Sequence, residues 1–184
     1  MTRERPSSEI EGLPAPLSEL PWSADFVMQA IEVLIVSQRK DEIVCLKPDC
    51  APSFVIGWPA GRRPEEVAAH ALSGVGLTPL VLHSTSWRHA GQEVVLTYLA
   101  VAAADAVLPE SWEIASVAHT ELARGGATTP PPVIGIEQVL EHALRHLSWL
   151  MQEDEAIIAS LPGWQDALLG YSPEPFRALG GPPQ

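Results

Sequence analysis

The order of apolar and polar residues along the chain predicts alternating strands and helices. An apolar, β-branched run at 27–37 indicates a buried strand, followed by a polar turn and a returning strand at 43–47. Apolar residues at helical spacing follow Pro64, which favours a first helical turn, and Gly74 and Gly76 favour the end of that helix. Further strands are predicted at 54–58, around 80–82, at 93–103 and at 112–119, and further helices at 134–160 and 163–169.

These elements predict one α/β domain in which a mixed sheet lies between helices. A chain of 184 residues can bury one sizeable core and is short for two. Proline, glycine and acidic residues concentrate at the ends, which indicates a flexible N-terminal arm at 1–24 and a flexible C-terminal tail at 171–184. The domain itself is expected to span 25–170, with an irregular loop at 124–132.

The charge of the chain disfavours two classes of partner. Its formal net charge is −12, so we expect neither nucleic acid nor an anionic membrane surface as a partner. The stretch from Arg39 to Arg88 departs from this balance, with six basic and five acidic residues, and an anionic ligand is expected there. No apolar run reaches the length of a membrane span and no secretory signal pattern opens the chain. A cytoplasmic protein with free thiols at Cys45 and Cys50 is therefore expected.

Residues 54–77 resemble a Nudix box, the loop–helix–loop signature of the Nudix hydrolases. The matching segments are 58–61 before the helix, 64–69 at its start and 76–77 after it. With the order of the elements, the resemblance covers about residues 26–150. It implies a Nudix-like α/β/α sandwich of mixed sheet with a long C-terminal helix, and with a loop–helix–loop that is degenerate because few signature positions match.

The positions at which the family carries its metal-binding acids hold other residues here. Counting back from Leu77, the family's arginine falls on Ala69, and its glutamates fall on His70, Ser73 and Gly74, which share one helix face. Mg²⁺ prefers hard oxygen ligands in octahedral geometry, which an imidazole, a hydroxyl and a hydrogen atom do not supply. The resemblance therefore implies a catalytically impaired protein without a cofactor. It would bind a nucleotide, a nucleoside-diphosphate-type ligand or a protein partner.

An active enzyme is the alternative that these residues leave open. Glu66 precedes His70 by one helical turn, so the two are candidates for a relocated metal site or catalytic base. Glu93, Glu113 and Glu121 could add carboxylates from other elements, and such a diphosphate hydrolase would use Mg²⁺ or Mn²⁺. The simpler interpretation is a solvated glutamate beside a surface histidine.

Five residues are candidates for binding a ligand. Arg62 and Arg63 precede a helix N-terminus, and both guanidinium groups and helix N-termini favour phosphate. Trp58, Trp87 and Arg88 offer two aromatic planes and a further cation, and stacking on a base is worth about 1–3 kcal/mol. The alternatives are surface arginines that offset the acidic chain, and tryptophans that pack in the core.

Two features near the C-terminus complete the prediction. His142 and His146 have the i, i+4 spacing of two metal ligands, but no third ligand is evident, so they are interpreted as a polar helix stripe. Apolar residues continue from Ile157 to Leu169 more densely than a surface tail needs. This stretch indicates either a docked C-terminal helix or a homodimer contact, the latter fitting a purely structural protein.

Overall fold

The computed structural model describes residues 28–40, 42–59, 61–90, 93–122 and 134–174. The predicted arm at 1–24, the predicted loop at 124–132 and the part of the predicted tail from residue 175 onward lie outside these ranges. The elements are β1 (Met28–Arg39), β2 (Glu42–Pro48), β3 (Phe54–Gly57), α1 (Pro64–Gly74), β4 (Val81–Ala90), β5 (Glu93–Ala102), β6 (Trp112–Ser116), α2 (Ile136–Glu153), α3 (Glu155–Ser160) and α4 (Trp164–Ala167). The predicted strands and the helix at Pro64 are thereby confirmed, with shifts at their ends.

β1 is the centre of a six-stranded mixed sheet. β5 lies parallel to it along one side, from Met28 opposite Glu93 to Ser37 opposite Ala102. Two antiparallel strands share the other side of β1, with β3 against its first half and β2 against its second half. β4 pairs with β5, and β6 pairs with β2, so β4 and β6 end the path β4-β5-β1-β2-β6.

The two faces of this sheet carry separate hydrophobic cores. Successive side chains of a strand point to opposite faces, and the part of β1 from Ala30 to Val36 is apolar at every position except Glu32 because both of its faces are covered. Leu34 and Val36 pack with α2, α3 and α4 on one face. Val33 and Ile35 pack with Ala68 and Leu72 of α1 and their neighbours on the other face. The α/β/α sandwich predicted from the sequence is therefore confirmed.

α1 buries a single side and ends as the glycines predict. Ala68 and Leu72 are buried, and Val67 and Val75 pack partly against the same core. Beyond Gly74, the backbone N–H groups of Val75 and Leu77 both donate to the Leu72 carbonyl, which closes the helix end. The opposite side of α1 is thereby left facing solvent.

The single helix predicted at 134–160 is wrong, because the chain breaks at Asp154. This residue has extended backbone angles and separates α2 from α3. Its carboxylate accepts hydrogen bonds from the N–H groups of Ala156 at 2.9 Å and Ile157 at 3.2 Å, so it caps the start of α3. Aspartate is among the preferred residues at this capping position. Within the described residues, no helix is both long and apolar enough to cross a membrane.

The C-terminal apolar stretch packs on its own domain. Leu161, Trp164 and Leu168 are buried in the core beneath α2, and so is Tyr171, which the sequence placed at the start of the tail. The Glu174 N–H donates to the Arg145 carbonyl at 3.2 Å, so docking continues past the predicted domain boundary at 170. The stretch thus fits the docked-helix alternative, and Leu169 alone among these apolar residues is largely exposed.

Candidate functional site

The segment between β3 and α1 holds three of the predicted ligand-binding residues. Trp58 packs partly against the α1-side core, and its Nε1 donates to the Arg62 carbonyl at 2.8 Å. Gly61 between them has φ +76, a left-handed conformation that glycine adopts without a steric penalty. The Arg62 side chain is exposed, and it has no ion pair among the described residues. Trp58 and Arg62 therefore form one structural unit beside the start of α1.

Arg63, in contrast, is neutralised by the helix that it precedes. Its guanidinium forms ion pairs with the carboxylates of Glu65 and, at 3.5 Å, Glu66. The backbone N–H of Glu65 donates a hydrogen bond to the carboxylate of the same residue, and this lowers the pKa of Glu65. The side chain of Arg63 lowers it further by a smaller amount. The positive end of the α1 dipole is thus already met by acidic side chains of the chain itself. A phosphate group at this helix end would have to compete with them.

The outward face of α1 carries the four positions at which the Nudix-box resemblance implies an arginine and three glutamates. Ala69, His70, Ser73 and Gly74 are all exposed, as the helical spacing predicts. Glu66 is exposed too, but it forms an ion pair with Arg63, and no hydrogen bond or ion pair of the described residues joins it to His70. Across the described ranges, no three histidine, cysteine, aspartate or glutamate side chains converge as a metal site. The structure therefore does not gather a ligand set around the Glu66–His70 pair.

Trp87 and Arg88 lie on opposite faces of the sheet. Trp87 is paired with Leu96 of β5, which packs in the α1-side core, so strand register directs Trp87 to the face that α1 covers. Trp87 is 60% exposed at the edge strand, and it also lines a cavity with Gln138 and His142 of α2. Arg88 is paired with Val95, and its Nη1 reaches the carboxylate of Glu32 at 2.6 Å and the Thr97 hydroxyl at 3.0 Å. The predicted cation is thus the partner of a buried carboxylate on the α2 face, away from the segment before α1.

Glu32 is the polar residue that the sequence analysis did not single out. It is only 3% exposed, and it accepts hydrogen bonds from Arg88 and, at 2.9 Å, from Ser53. A lone acid inside the apolar run 27–37 was a visible signal, because a buried carboxylate needs a partner. That partner lies 56 residues further along the chain, so strand pairing had to be known to find it.

Glu141 is a second buried carboxylate on the α2 face. Arg145 Nε donates to one of its oxygens at 2.7 Å, while His119 Nδ1 and the Thr120 N–H each lie 3.4 Å from the other. Burial, followed by the negative charge of Glu141, raises the pKa of Tyr171, whose ring centre lies 4.3 Å from that of His119. This cluster ties the segment after β6 and the C-terminal segment to α2.

The remaining predicted carboxylates lie apart from α1. Glu113 pairs with Lys47 at 2.6 Å across the β2–β6 edge, and this hydrogen bond raises the pKa of Lys47. Glu93 begins β5, and Glu121 follows β6, where its carbonyl oxygen accepts a hydrogen bond from Gln138. Of the predicted acids, only Glu66 stands on the helix that resembles the Nudix box.

Comparisons with known proteins connect this arrangement to a fold. No protein-family model and no curated protein matches the chain. The solved structure of NrtR from Shewanella oneidensis aligns with 82% of this chain and 80% of its own, at a TM-score of 0.52 and 10% identity. NrtR complexed with a 27mer DNA aligns at a TM-score of 0.45.

Two hydrolase structures align over about half of the chain. The Ap4A hydrolase of C. elegans is 15% identical and has a TM-score of 0.36, covering 50% of this chain and 81% of its own. RenU, a Nudix hydrolase of M. smegmatis, is 16% identical and has a TM-score of 0.34, covering 48% of this chain and 70% of its own. Similarity at these identities concerns the fold alone, and the chain has a Nudix-like α/β fold.

Proposed function

We propose that this Nudix-fold protein binds a nucleotide or nucleoside-diphosphate-type ligand without metal-dependent hydrolysis. The observation that carries the proposal is the outward face of α1, where His70, Ser73 and Gly74 are exposed at the positions for which the Nudix-box resemblance implies acids. Hydrolysis of a diphosphate linkage relies on Mg²⁺ to neutralise phosphate charge and to activate water. One imidazole and one hydroxyl on this face are a poor ligand set for that ion.

The ligand would contact residues on the α1 side of the sheet. Arg62 is the exposed cation beside the helix, and Trp87 and Trp58 offer indole rings on the same face of the sheet. Arg62 would meet a phosphate group and an indole would stack on the base. We leave Arg63 and Arg88 out of the proposed contacts because both form ion pairs within the chain, so the proposal uses three of the five predicted ligand-binding residues.

A thermal-shift and calorimetric screen against ADP-ribose, NAD, coenzyme A and mononucleotides tests the binding proposal. We expect at least one of these compounds to stabilise the wild-type protein. Trp87→Ala should then weaken its binding about 5- to 150-fold, the range that corresponds to 1–3 kcal/mol of base stacking. Arg62→Gln should weaken binding of the same compound, since every compound in the screen carries phosphate, and the matched control is Lys40→Gln, which changes a basic residue in the β1–β2 turn. If no compound stabilises the protein, the nucleotide proposal is wrong, and a protein partner takes its place.

An active hydrolase is the second candidate, and the exposed carboxylate of Glu66 on α1 is the observation that favours it. Glu93, Glu113 or Glu121 would have to complete its metal site with Mg²⁺ or Mn²⁺. Metal-dependent product release that is abolished by Glu66→Gln would support this candidate over binding alone.

We propose no nucleic-acid partner. The DNA complex belongs to NrtR, and a chain with a net charge of −12 repels a phosphate backbone.

A further inference from the structure

A cavity lies between the edge strand β4 and the first half of α2, on the face of the sheet opposite to α1. Its volume is about 180 Å³. Polar and apolar side chains share its walls, among them Ser86, Trp87, Arg88, Leu122, Val139 and His142. Spacing in the sequence connected His142 only with His146, whereas the packing of α2 on β4 brings His142 into one cavity with Trp87.

The positive charge in this cavity is already neutralised. Arg88 Nη1 donates to the Glu32 carboxylate at 2.6 Å and to the Thr97 hydroxyl at 3.0 Å. A phosphate or carboxylate group in the cavity would compete with Glu32 for the guanidinium, and the charge of Glu32 would repel it. The cavity therefore favours an uncharged group, in contrast to the exposed Arg62 beside α1.

His142 and Ser86 are the polar side chains that remain for a ligand. The amide of Gln138 is engaged at both ends, because its oxygen accepts from the Gly135 N–H at 3.0 Å and its nitrogen donates to the Glu121 carbonyl at 3.4 Å. The side chains of His142 and Ser86 form no hydrogen bond with another described residue. An imidazole and a hydroxyl can each donate or accept, so together they suit a ring edge that carries both carbonyl and N–H groups.

The size of the cavity selects a single ring. An apolar cavity of about 150 Å³ holds benzene, which corresponds to roughly 25 Å³ for each non-hydrogen atom. At that ratio this cavity holds about seven or eight such atoms, close to the size of a pyrimidine base and below that of a purine. Leu122 and Val139 supply apolar walls, and the indole of Trp87 at the edge of the sheet can pack against a ring.

We propose that this cavity binds the pyrimidine base of a nucleotide, with His142 and Ser86 hydrogen-bonded to the edge of the base and Trp87 against its ring. The inference rests on the proposed function and deepens it, since it names the base of the ligand. Uracil and cytosine both carry a carbonyl group and a nitrogen-bound proton along their edges, which an imidazole and a hydroxyl can pair with. The sugar and the phosphate would lie outside the cavity.

Calorimetric titration of the full chain with uridine, cytidine, adenosine and guanosine tests the inference without any phosphate contact. We expect the two pyrimidine nucleosides to bind with a Kd about tenfold lower than that of the purine nucleosides, which exceed the cavity. His142→Ala should weaken pyrimidine binding about 2- to 12-fold, as the loss of one hydrogen bond predicts. The matched control is His70→Ala on the exposed face of α1, which should bind them as the wild type does.

Proton–nitrogen NMR of the wild type provides a second readout that needs no variant to fold. Uridine should shift the indole N–H resonance of Trp87 and the ring resonances of His142, and leave those of His70 unchanged. The inference is overturned if neither pyrimidine nucleoside binds, if the purine nucleosides bind as tightly, or if the shifts fall elsewhere. It is equally overturned if His142→Ala binds uridine as tightly as the wild type.

The same titrations with nucleotides separate this inference from the proposed function. Purine nucleotides whose binding depends on Arg62, together with no pyrimidine binding, would overturn the inference and leave the proposed function standing. Failure of every nucleoside and nucleotide to bind would overturn both.

Discussion

The two faces of the sheet differ in whether their charged side chains are exposed or buried. On the α1 face, the charged residues Arg63, Glu65 and Glu66 lie at the exposed start of the helix. On the α2 face, Glu32 and Glu141 are almost fully buried, and each is held by an arginine. Burial of a charged group lowers the stability of the folded protein unless the group is paired, whereas an exposed ion pair contributes little to stability. The polar groups on which stability depends therefore lie on the face opposite to the helix that resembles the Nudix box.

Breaking one ion pair on each face should give the largest difference in the free energy of unfolding between the two faces. Arg88→Met leaves the Glu32 carboxylate buried with only hydroxyl donors, and should lower the free energy of unfolding by about 3–5 kcal/mol. Arg63→Met removes an exposed cation, and it should change the free energy of unfolding by less than the error of a urea titration. Equal effects of the two substitutions would contradict the contrast between the faces.

A similar contrast is expected within the C-terminal apolar stretch. Trp164 is buried in the α2-side core, and Trp164→Ala should cost about 3–5 kcal/mol. Leu169→Ala changes an exposed side chain and should leave stability unchanged.

Because docking occurs within one chain, the Tm of the wild type should not depend on protein concentration. A Tm that rises with concentration would instead favour a homodimer contact at this stretch.

The start of α3 gives a smaller expected effect. Asp154→Ala removes the carboxylate that caps two backbone N–H groups, and should destabilise the protein by about 1 kcal/mol. Asp154→Asn keeps a capping oxygen and serves as the control. An unchanged urea midpoint for Asp154→Ala would show that the break after α2 does not need this cap.

The sequence predicts the strands and helices more accurately than it predicts which residues from distant segments contact each other. Apolar periodicity located α1 and showed which of its sides faces solvent, because a 3.6-residue repeat is a local property. The break at Asp154 was missed because apolar residues resume at Ile157 and Ile158, at helical spacing from Leu150 and Met151. Only the local competition of an aspartate side chain for backbone N–H groups interrupts that helix.

The face on which Arg88 lies could not be read from its position in the strand. A β-bulge between Ser84 and Ser86 inserts one residue into β4, which reverses the alternation of faces beyond it. His83 and Arg88 therefore share the α2 face although they are five residues apart. Glu32 and Arg88 are likewise joined by strand pairing between distant segments, for which a single sequence holds no signal.

The imidazoles of His83, which is half-buried, and His146, which is buried, predict a pH dependence that arises on the α2 face. Burial lowers the pKa of both His83 and His146 in the folded protein, so below pH about 6.5 the unfolded chain binds more protons than the folded chain. The free energy of unfolding should therefore fall as pH decreases from about 6.5, and it should be insensitive to these groups above that value.

Urea titrations of metal-free protein at pH 7.5 and 5.5 measure this dependence. The wild type should lose more stability between the two pH values than the double variant His83→Gln/His146→Gln, whose other titrating groups are the same. An equal loss in both proteins would assign the pH dependence to the carboxylates instead.

A single-turnover assay tests the proposal that α1 does not support metal-dependent hydrolysis. The protein is in excess over labelled ADP-ribose or a labelled dinucleoside polyphosphate, and about 5 mM Mg²⁺ or Mn²⁺ is added. We expect no more product than in reactions without protein, and no difference between the wild type and Glu66→Gln. Metal-dependent product formation by the wild type that disappears in Glu66→Gln would show the proposal to be wrong and establish an active hydrolase.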